Sequence, residues 1–255
     1  DNASSRGLGD VYKRQSPWRD KCKRLKENKV DFGFFLRFNK KLQNMSPDEF
    51  IDKILSKLNI KYLMVGDDFK FGKERSGDFD FLSDWGSNNQ IEVDRIPTHS
   101  FEGRRVSSTW IRESIADGNF DLAAKLLDRR YTFSGKVVFG NKVGRTIGVP
   151  TANIWVPKSN LPIKGVYAVK ALVKGETFNG IANMGVRPTV GGTSPVLEIH
   201  IFDFNEEIYG CRIEVEFYQK IRNEKKFENL DKLKEQINLD LSLIHISEPT
   251  RRGII

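Results

Sequence analysis

Between Gly135 and Asn153 the chain reads Gly-Lys-Val-Val-Phe-Gly-Asn-Lys-Val-Gly-Arg-Thr-Ile-Gly-Val-Pro-Thr-Ala-Asn, and this stretch restricts the fold more than any other. Val137, Val138 and Phe139 favour a pleated surface, but Gly140, Gly144, Gly148 and Pro150 then forbid a continuous strand. A loop must start at Gly140. Glycines four apart allow positive φ and let a ligand rest against bare N–H groups, the way a phosphate is cradled without a helix. Lys142 and Arg145 add positive charge to such a cradle. Beyond Pro150, Thr151 and Asn153 stand at i and i+2, hence on one face of an extended backbone, and their oxygens suit Mg2+ beside phosphates. The spacing is not that of a Walker A loop, which needs four residues between its glycines and then Gly-Lys-Ser/Thr opening a helix. Here three residues separate Gly140 from Gly144, and Pro150 opposes a helix. Taken alone, the stretch reads equally as a phosphate cradle and as a glycine-rich turn between two barrel strands.

The 255 residues hold one large or two ordinary domains. No apolar run approaches a membrane span and no signal peptide opens the chain, so a soluble, cytoplasmic protein is expected. Cys22 and Cys211 are far apart and lack metal-ligand spacing, which makes them ordinary thiols. The formal charge of +8 suits anionic ligands, yet the basic residues are interleaved with acids and form no nucleic-acid stripe.

Residues 1–15 and 241–255 look foreign to the rest, resembling translated adapter DNA, and are set aside from the fold. From Asp20 to Ile60, helical and strand patterns alternate. Lys21–Asn28 suits a charged helix, Phe32–Phe38 a strand, and Ser46-Pro47-Asp48-Glu49 is a capping box opening an amphipathic helix through Leu58. Tyr62–Val65 is the next strand, and the alternation implies a parallel crossover. At its end, Asp67 and Asp68 read as a metal or ribose site, or as a solvated turn. Ser107, Ser108 and Thr109 open a helix whose apolar face carries Ile111, Ile115, Phe120, Ala123 and Leu126; hydroxyls there cap a helix or bind an anion.

After Tyr131 the texture changes to short β-rich runs at 131–139, 165–173, 177–183, 196–203 and 212–218, with turns at Lys174-Gly175, Gly191-Gly192 and Asn205-Glu206. An antiparallel barrel is expected, followed by one helix with Leu230, Leu233 and Ile237 that plugs or flanks it. Alternation puts Glu198, His200 and Phe202 on one face and Leu197, Ile199 and Ile201 on the other. Facing a cavity, Glu198 is a general base; facing solvent, it is inert. Asn183–Thr189 and Ile221–Glu224 read as ligand loops or as ordinary turns.

Together these motifs resemble the bacterial bifunctional riboflavin kinase and FAD synthetase family over Ser16–Asp240. The glycine loop ending in Pro150-Thr151-Ala152-Asn153, Gly165-Val166-Tyr167, Asn183–Thr189, Leu197–Asp203, Ile208-Tyr209-Gly210 and Ile221–Phe227 occur in that family's order, and Val65–Gly72 and Val106–Arg112 match its adenylyltransferase half. The resemblance implies a partial Rossmann-like α/β nucleotidyltransferase domain at 16–130, then an antiparallel riboflavin kinase β-barrel at 131–240 with a C-terminal helix. It implies ATP, Mg2+, riboflavin and FMN as ligands, with neither nucleic acid nor membrane as partner. Carried over by position, Gly140, Lys142, Gly144, Arg145, Gly148, Pro150 and Thr151 bind ATP, Thr151 and Asn153 hold the metal, and Glu198 is the base. Arg222 and Glu224 lie beside the flavin. In the other half Asp67, Asp68, Phe69 and Phe71 contact flavin or nucleotide, and Ser107, Ser108, Thr109 and Arg112 bind the triphosphate. The family's paired histidines have no counterpart among His99, His200 and His245, so that half is expected to be a fragment unable to make FAD. The competing expectation is a β-barrel module that binds a nucleotide or nucleic acid without chemistry.

Overall fold

The computed structural model describes residues 18–140, 148–156, 161–189, 192–225, 227–228 and 230–247. They compact into two units, one spanning Val30–Val106 and the other built from the residues on either side of it. Helix α1, Trp18–Glu27, belongs to the second of these.

In the Val30–Val106 unit the chain is extended and irregular from Val30 to Asn39, and the expected strand at Phe32–Phe38 is absent. A strand persists where a neighbour takes its N–H and C=O groups, and among the described residues none pairs with this run. Its aromatic, β-favouring composition records a fit to pleated surfaces and supplies no partner. A short helix α2, Lys40–Gln43, precedes α3, Pro47–Lys53. The capping box forms as expected: Ser46 Oγ accepts the Glu49 N–H, and the Glu49 carboxylate accepts the Ser46 N–H, both at 3.1 Å. The helix expected through Leu58 instead ends at Lys53, because Ile54 leaves helical geometry (φ −122°, ψ −65°) and a 3-10 turn follows at Leu55–Lys57. Strand β1, Tyr62–Gly66, pairs in parallel with β2, Glu92–Ile96, across helix α4, Phe79–Asn88; a parallel crossover therefore forms, but not the expected one from Phe32–Phe38 through the capping-box helix, because that first strand is absent. Gly86 lets α4 lie close to the chain entering β2, since a Cβ there would sit 2.7 Å from the Ile91 carbonyl oxygen. Ile51, Val65, Phe71 and Leu82 form the core of this unit. A small hairpin, β3 (Ser100–Phe101) with β4 (Arg104–Arg105), turns through Glu102 and Gly103, both at positive φ.

The other unit is a closed antiparallel barrel, preceded by helices α5, Ser108–Ala116, and α6, Phe120–Leu127. The single apolar face read over Ile111–Leu126 is thus divided between two helices; Gly118, at φ +80°, makes the break. The barrel strands are β5 (Thr132–Val138), β6 (Ala152–Trp155), β7 (Gly165–Val173), β8 (Glu176–Thr189), β9 (Gly192–Ile201) and β10 (Arg212–Arg222). They close in the order β10-β5-β6-β9-β8-β7, which leaves no sheet edge. Strand β6 was not foreseen, and Asn183–Thr189 and Ile221–Arg222, read as loops or turns, are the ends of β8 and β10. Lys174-Gly175 makes the expected two-residue turn, with both residues at positive φ.

Leu197, Ile199 and Ile201 fill the barrel interior with Val215 and Phe217, as the alternation required. Phe120 of α6 closes on this core: its ring stacks on Phe217 at 5.9 Å and meets Tyr167 edge-on at 5.6 Å. Burial in this cluster pushes the Tyr131 phenol far above its ordinary range. Helix α1 also docks here. The buried Asp20 carboxylate accepts the Ser134 N–H at 3.2 Å and the Ser134 hydroxyl, while Arg24 donates to Thr132 Oγ1 at 2.9 Å. Residues 18–29 and 107–130, expected with the nucleotidyltransferase half, therefore pack with the barrel. Helix α7, Leu230–Ser247, runs into the C-terminal stretch that looks foreign in sequence.

Candidate active site

The site is assembled by strand register. Asn153 of β6 lies opposite Glu198 of β9, Glu198 opposite Asn183 of β8, Asn183 opposite Val166 of β7, and Val166 opposite Arg222 of β10. Paired residues point to the same face, so three polar side chains and an arginine form one row around the barrel. The neighbouring positions Leu197 and Ile199 point inward, so this row faces outward. Outward here does not mean into solvent. Glu198, His200, Asn183 and Arg222 are all half-buried. They line a cavity of about 190 Å3 whose other walls include Thr151 from the chain before β6 and Ile237 and Asp240 from α7. The terminal helix accordingly flanks the barrel.

Each wall is fixed by its own contacts. Gly148, at φ +79°, adopts a backbone that disfavours any side chain, and Val149 beyond it is buried. The Pro150 carbonyl accepts a 2.8 Å hydrogen bond from His200 Nδ1, which ties the end of the glycine stretch to β9. Gly140 must lack a Cβ because one would collide with the Asn153 amide, and Asn153 is 5% exposed. Arg222 is held by Asp240 of α7: its Nε lies 3.1 and 3.0 Å from the two carboxylate oxygens and Nη2 lies 2.8 Å from Oδ2. Gln236 donates to the same carboxylate at 3.0 Å, so the buried Asp240 is fully engaged. The Glu224 carboxylate rests against Gly185, where a Cβ would strike it.

Thr151 and Pro150 also line a second cavity of about 90 Å3, whose far side is made by Glu207, Ile208 and Tyr209. At 4.2 Å, the Tyr209 ring stacks on Phe139, the last residue before the glycine stretch. Two cavities thus meet at Thr151. Lys142, Gly144 and Arg145 lie outside the described residues.

The residues marked in the other half are placed differently. Asp67 and Asp68 share the Arg105 guanidinium, each at 3.1 Å. Phe71 is a core residue with Phe69 stacked on it at 5.7 Å. Ser107 caps α5 by accepting the Trp110 N–H at 3.2 Å, and Thr109 accepts from Arg112 at 3.2 Å. Ser107 to Arg112 belong to the barrel unit and Asp67 to Phe71 to the other. Among the described residues no cluster of three or more His, Cys, Asp or Glu side chains suits a metal. Asn183 and Phe227 stand in sequence motifs without a site role of their own, and Asp240 in none; strand register brings Asn183 to the cavity, the packing of α7 brings Asp240, and Phe227, between β10 and α7 in sequence, lines it as well.

Residues 127–246 match the family described as riboflavin kinase, and residues 11–110 the family described as FAD synthetase. Both matches reach into the terminal stretches that looked foreign. A bifunctional riboflavin kinase/FMN adenylyltransferase of Haemophilus influenzae is 46% identical over 225 residues, covering 88% of this chain and 73% of that protein. Its Escherichia coli K12 counterpart is 43% identical, covering 87% and 72%. A solved Streptococcus pneumoniae chain described as a macrolide-efflux protein superposes with a TM-score of 0.80 at 31% identity, covering 93% of this chain and 77% of that one. Among the described residues no helix is long and apolar enough to cross a membrane. The chain belongs to the bifunctional riboflavin kinase/FMN adenylyltransferase family. The binding-module expectation gives way to this enzyme family.

Proposed function

We propose that the barrel unit transfers the γ-phosphoryl group of ATP to the 5′-hydroxyl of riboflavin, giving FMN and ADP, with Glu198 as general base. The observation that carries this reading is the position of Glu198 in the wall of one cavity while Thr151 divides that cavity from a second. Phosphoryl transfer needs an acceptor and a nucleotide brought in line, with little covalent work for the protein. The larger cavity takes the flavin. The smaller, beside the stacked Tyr209 and Phe139 and lined by Pro150 and Thr151, takes the nucleotide.

Glu198 accepts the proton of the attacking hydroxyl. Arg222 and the Glu224 segment wall the flavin side, and the charge of Arg222 is balanced by Asp240. Thr151 and Asn153 offer the hard oxygen donors that Mg2+ prefers, with Glu198 opposite Asn153 in the register. These residues fit Mg2+, which when bound neutralises charge on the transferred phosphoryl group. The match of residues 11–110 to the family described as FAD synthetase supports reading the preceding part of the chain as the FMN adenylyltransferase half.

The direct test incubates the chain with riboflavin and ATP and separates the flavins chromatographically, with Mg2+ and with excess chelator. FMN forming only with the cation supports the reading. Absence of FMN under both conditions overturns it.

A further inference from the structure

Among the described residues, one buried side-chain atom lacks a hydrogen-bond partner, the Oδ1 of Asn183. Such an atom is costly in a folded chain unless a ligand or water completes it. Its surroundings indicate which. Asn183 lines the same cavity as Glu198 and is its register partner across β8 and β9, so their Cα atoms are about 4.5–5.5 Å apart. The other register neighbour of Asn183 is the buried, apolar Val166, and Ile181 lies two residues away on the same face. Neither offers a donor, so the acceptor is left for whatever enters beside Glu198.

From this we propose that Asn183 determines specificity for the sugar-alcohol chain of the substrate: Oδ1 accepts a hydrogen bond from a secondary hydroxyl adjacent to the one that Glu198 deprotonates. The inference rests on the flavokinase reading. If Glu198 meets the terminal hydroxyl, the next hydroxyls of a polyol fall within one strand spacing of it, where Asn183 stands. The flavin ring extends further along the cavity and is not the donor.

The test compares riboflavin with lumiflavin, whose ring carries a methyl group in place of the chain, by fluorescence titration of the unaltered protein and of Asn183→Leu. Leucine is close to asparagine in shape and suits the Val166 and Ile181 neighbourhood, while removing the acceptor. Losing one hydrogen bond to a substrate hydroxyl should weaken riboflavin binding roughly ten-fold and leave lumiflavin binding within about two-fold. Asn183→Ala serves as the second variant, and circular dichroism confirms folding of both. Equal weakening of both flavins, or of neither, overturns the proposal. Loss of the preference for riboflavin while the ATP KM stays unchanged supports it. A protein that makes FMN and depends on Glu198, yet keeps its full preference for riboflavin in Asn183→Leu, would refute this inference alone. A protein that makes no FMN would refute the kinase reading.

Discussion

The interior of the barrel and the Val30–Asn39 run of the other unit differ in what becomes of their aromatic rings. In the barrel, Phe120, Tyr131, Tyr167 and Phe217 are each less than 2% exposed or close to it and touch one another. In the other unit Phe32, Phe34 and Phe38 are 83%, 72% and 69% exposed, and the core is a single cluster around Phe71 and Leu82. The contrast follows from closure. A closed sheet satisfies every strand by a neighbour and leaves one face for a dry core and the other for a row of polar groups, whereas the two-stranded parallel sheet has little surface to cover. Reactive groups need that kind of support, because a side chain on a packed strand holds its position better than one on a loop.

The largest effect that sharpens this comparison falls on one carboxylate. Glu198→Gln keeps size and hydrogen-bonding shape but cannot take a proton, so FMN formation should fall by about 10²- to 10⁴-fold while riboflavin still binds. The rate comes from single-turnover FMN assays and the binding from flavin fluorescence. Near-normal turnover would remove Glu198 from the chemistry and leave it a polar residue in a cavity wall.

Next come paired core truncations, one in each unit. Phe217→Ala should destabilise the barrel by about 3–5 kcal/mol and Leu82→Ala the other unit by about 2–5 kcal/mol. Phe217→Ala should also abolish riboflavin binding, since Phe217 anchors the ring cluster inside the barrel that carries the site. Leu82→Ala should leave FMN formation unchanged. Denaturant titrations followed by kinase assays on both variants check this, and kinase loss in Leu82→Ala would mean that the units do not act independently.

What was legible in the sequence divides along the same line. The barrel strands declared themselves by alternation, and Leu197 to Phe202 were correctly sorted into two faces because period-two patterning is local. The same patterning put Glu198 on one face with His200 and Phe202 but left open whether that face meets a cavity or solvent, which only the packing of α7 against the barrel decides. Strand β6 was not, because four residues between a glycine stretch and a proline carry too little pattern. Asn183 stood in a motif but not on the site, since its meaning comes from the register that places it opposite Glu198, fifteen residues away. Asp240 and Asp20 are likewise invisible to local reading: each is buried by an element distant in sequence, through Arg222 and Ser134 respectively. Phe32–Phe38 misled in the opposite direction, because propensity is local and pairing is not.

The smallest effect lies at the Ser46 capping box, where the sequence reading and the structure agree in full. Ser46→Ala removes the acceptor for the Glu49 N–H and should cost the Val30–Val106 unit about 0.5–2 kcal/mol, with no change in FMN formation. Glu49 adds a pH signature. Its carboxylate is held below the ordinary range first by the hydrogen bond from Lys53 and then by the Ser46 N–H. A depressed carboxylate stabilises the fold above its unfolded pKa and loses that contribution as pH falls through the lowered folded value. Protection of the α3 amides from hydrogen exchange should therefore weaken below about pH 4. Glu49→Gln should flatten this acid dependence, whereas Ser46→Ala should retain most of it, because the larger contribution, from Lys53, survives. If Ser46→Ala instead removed the whole acid response, the backbone N–H rather than Lys53 would be what holds the Glu49 charge.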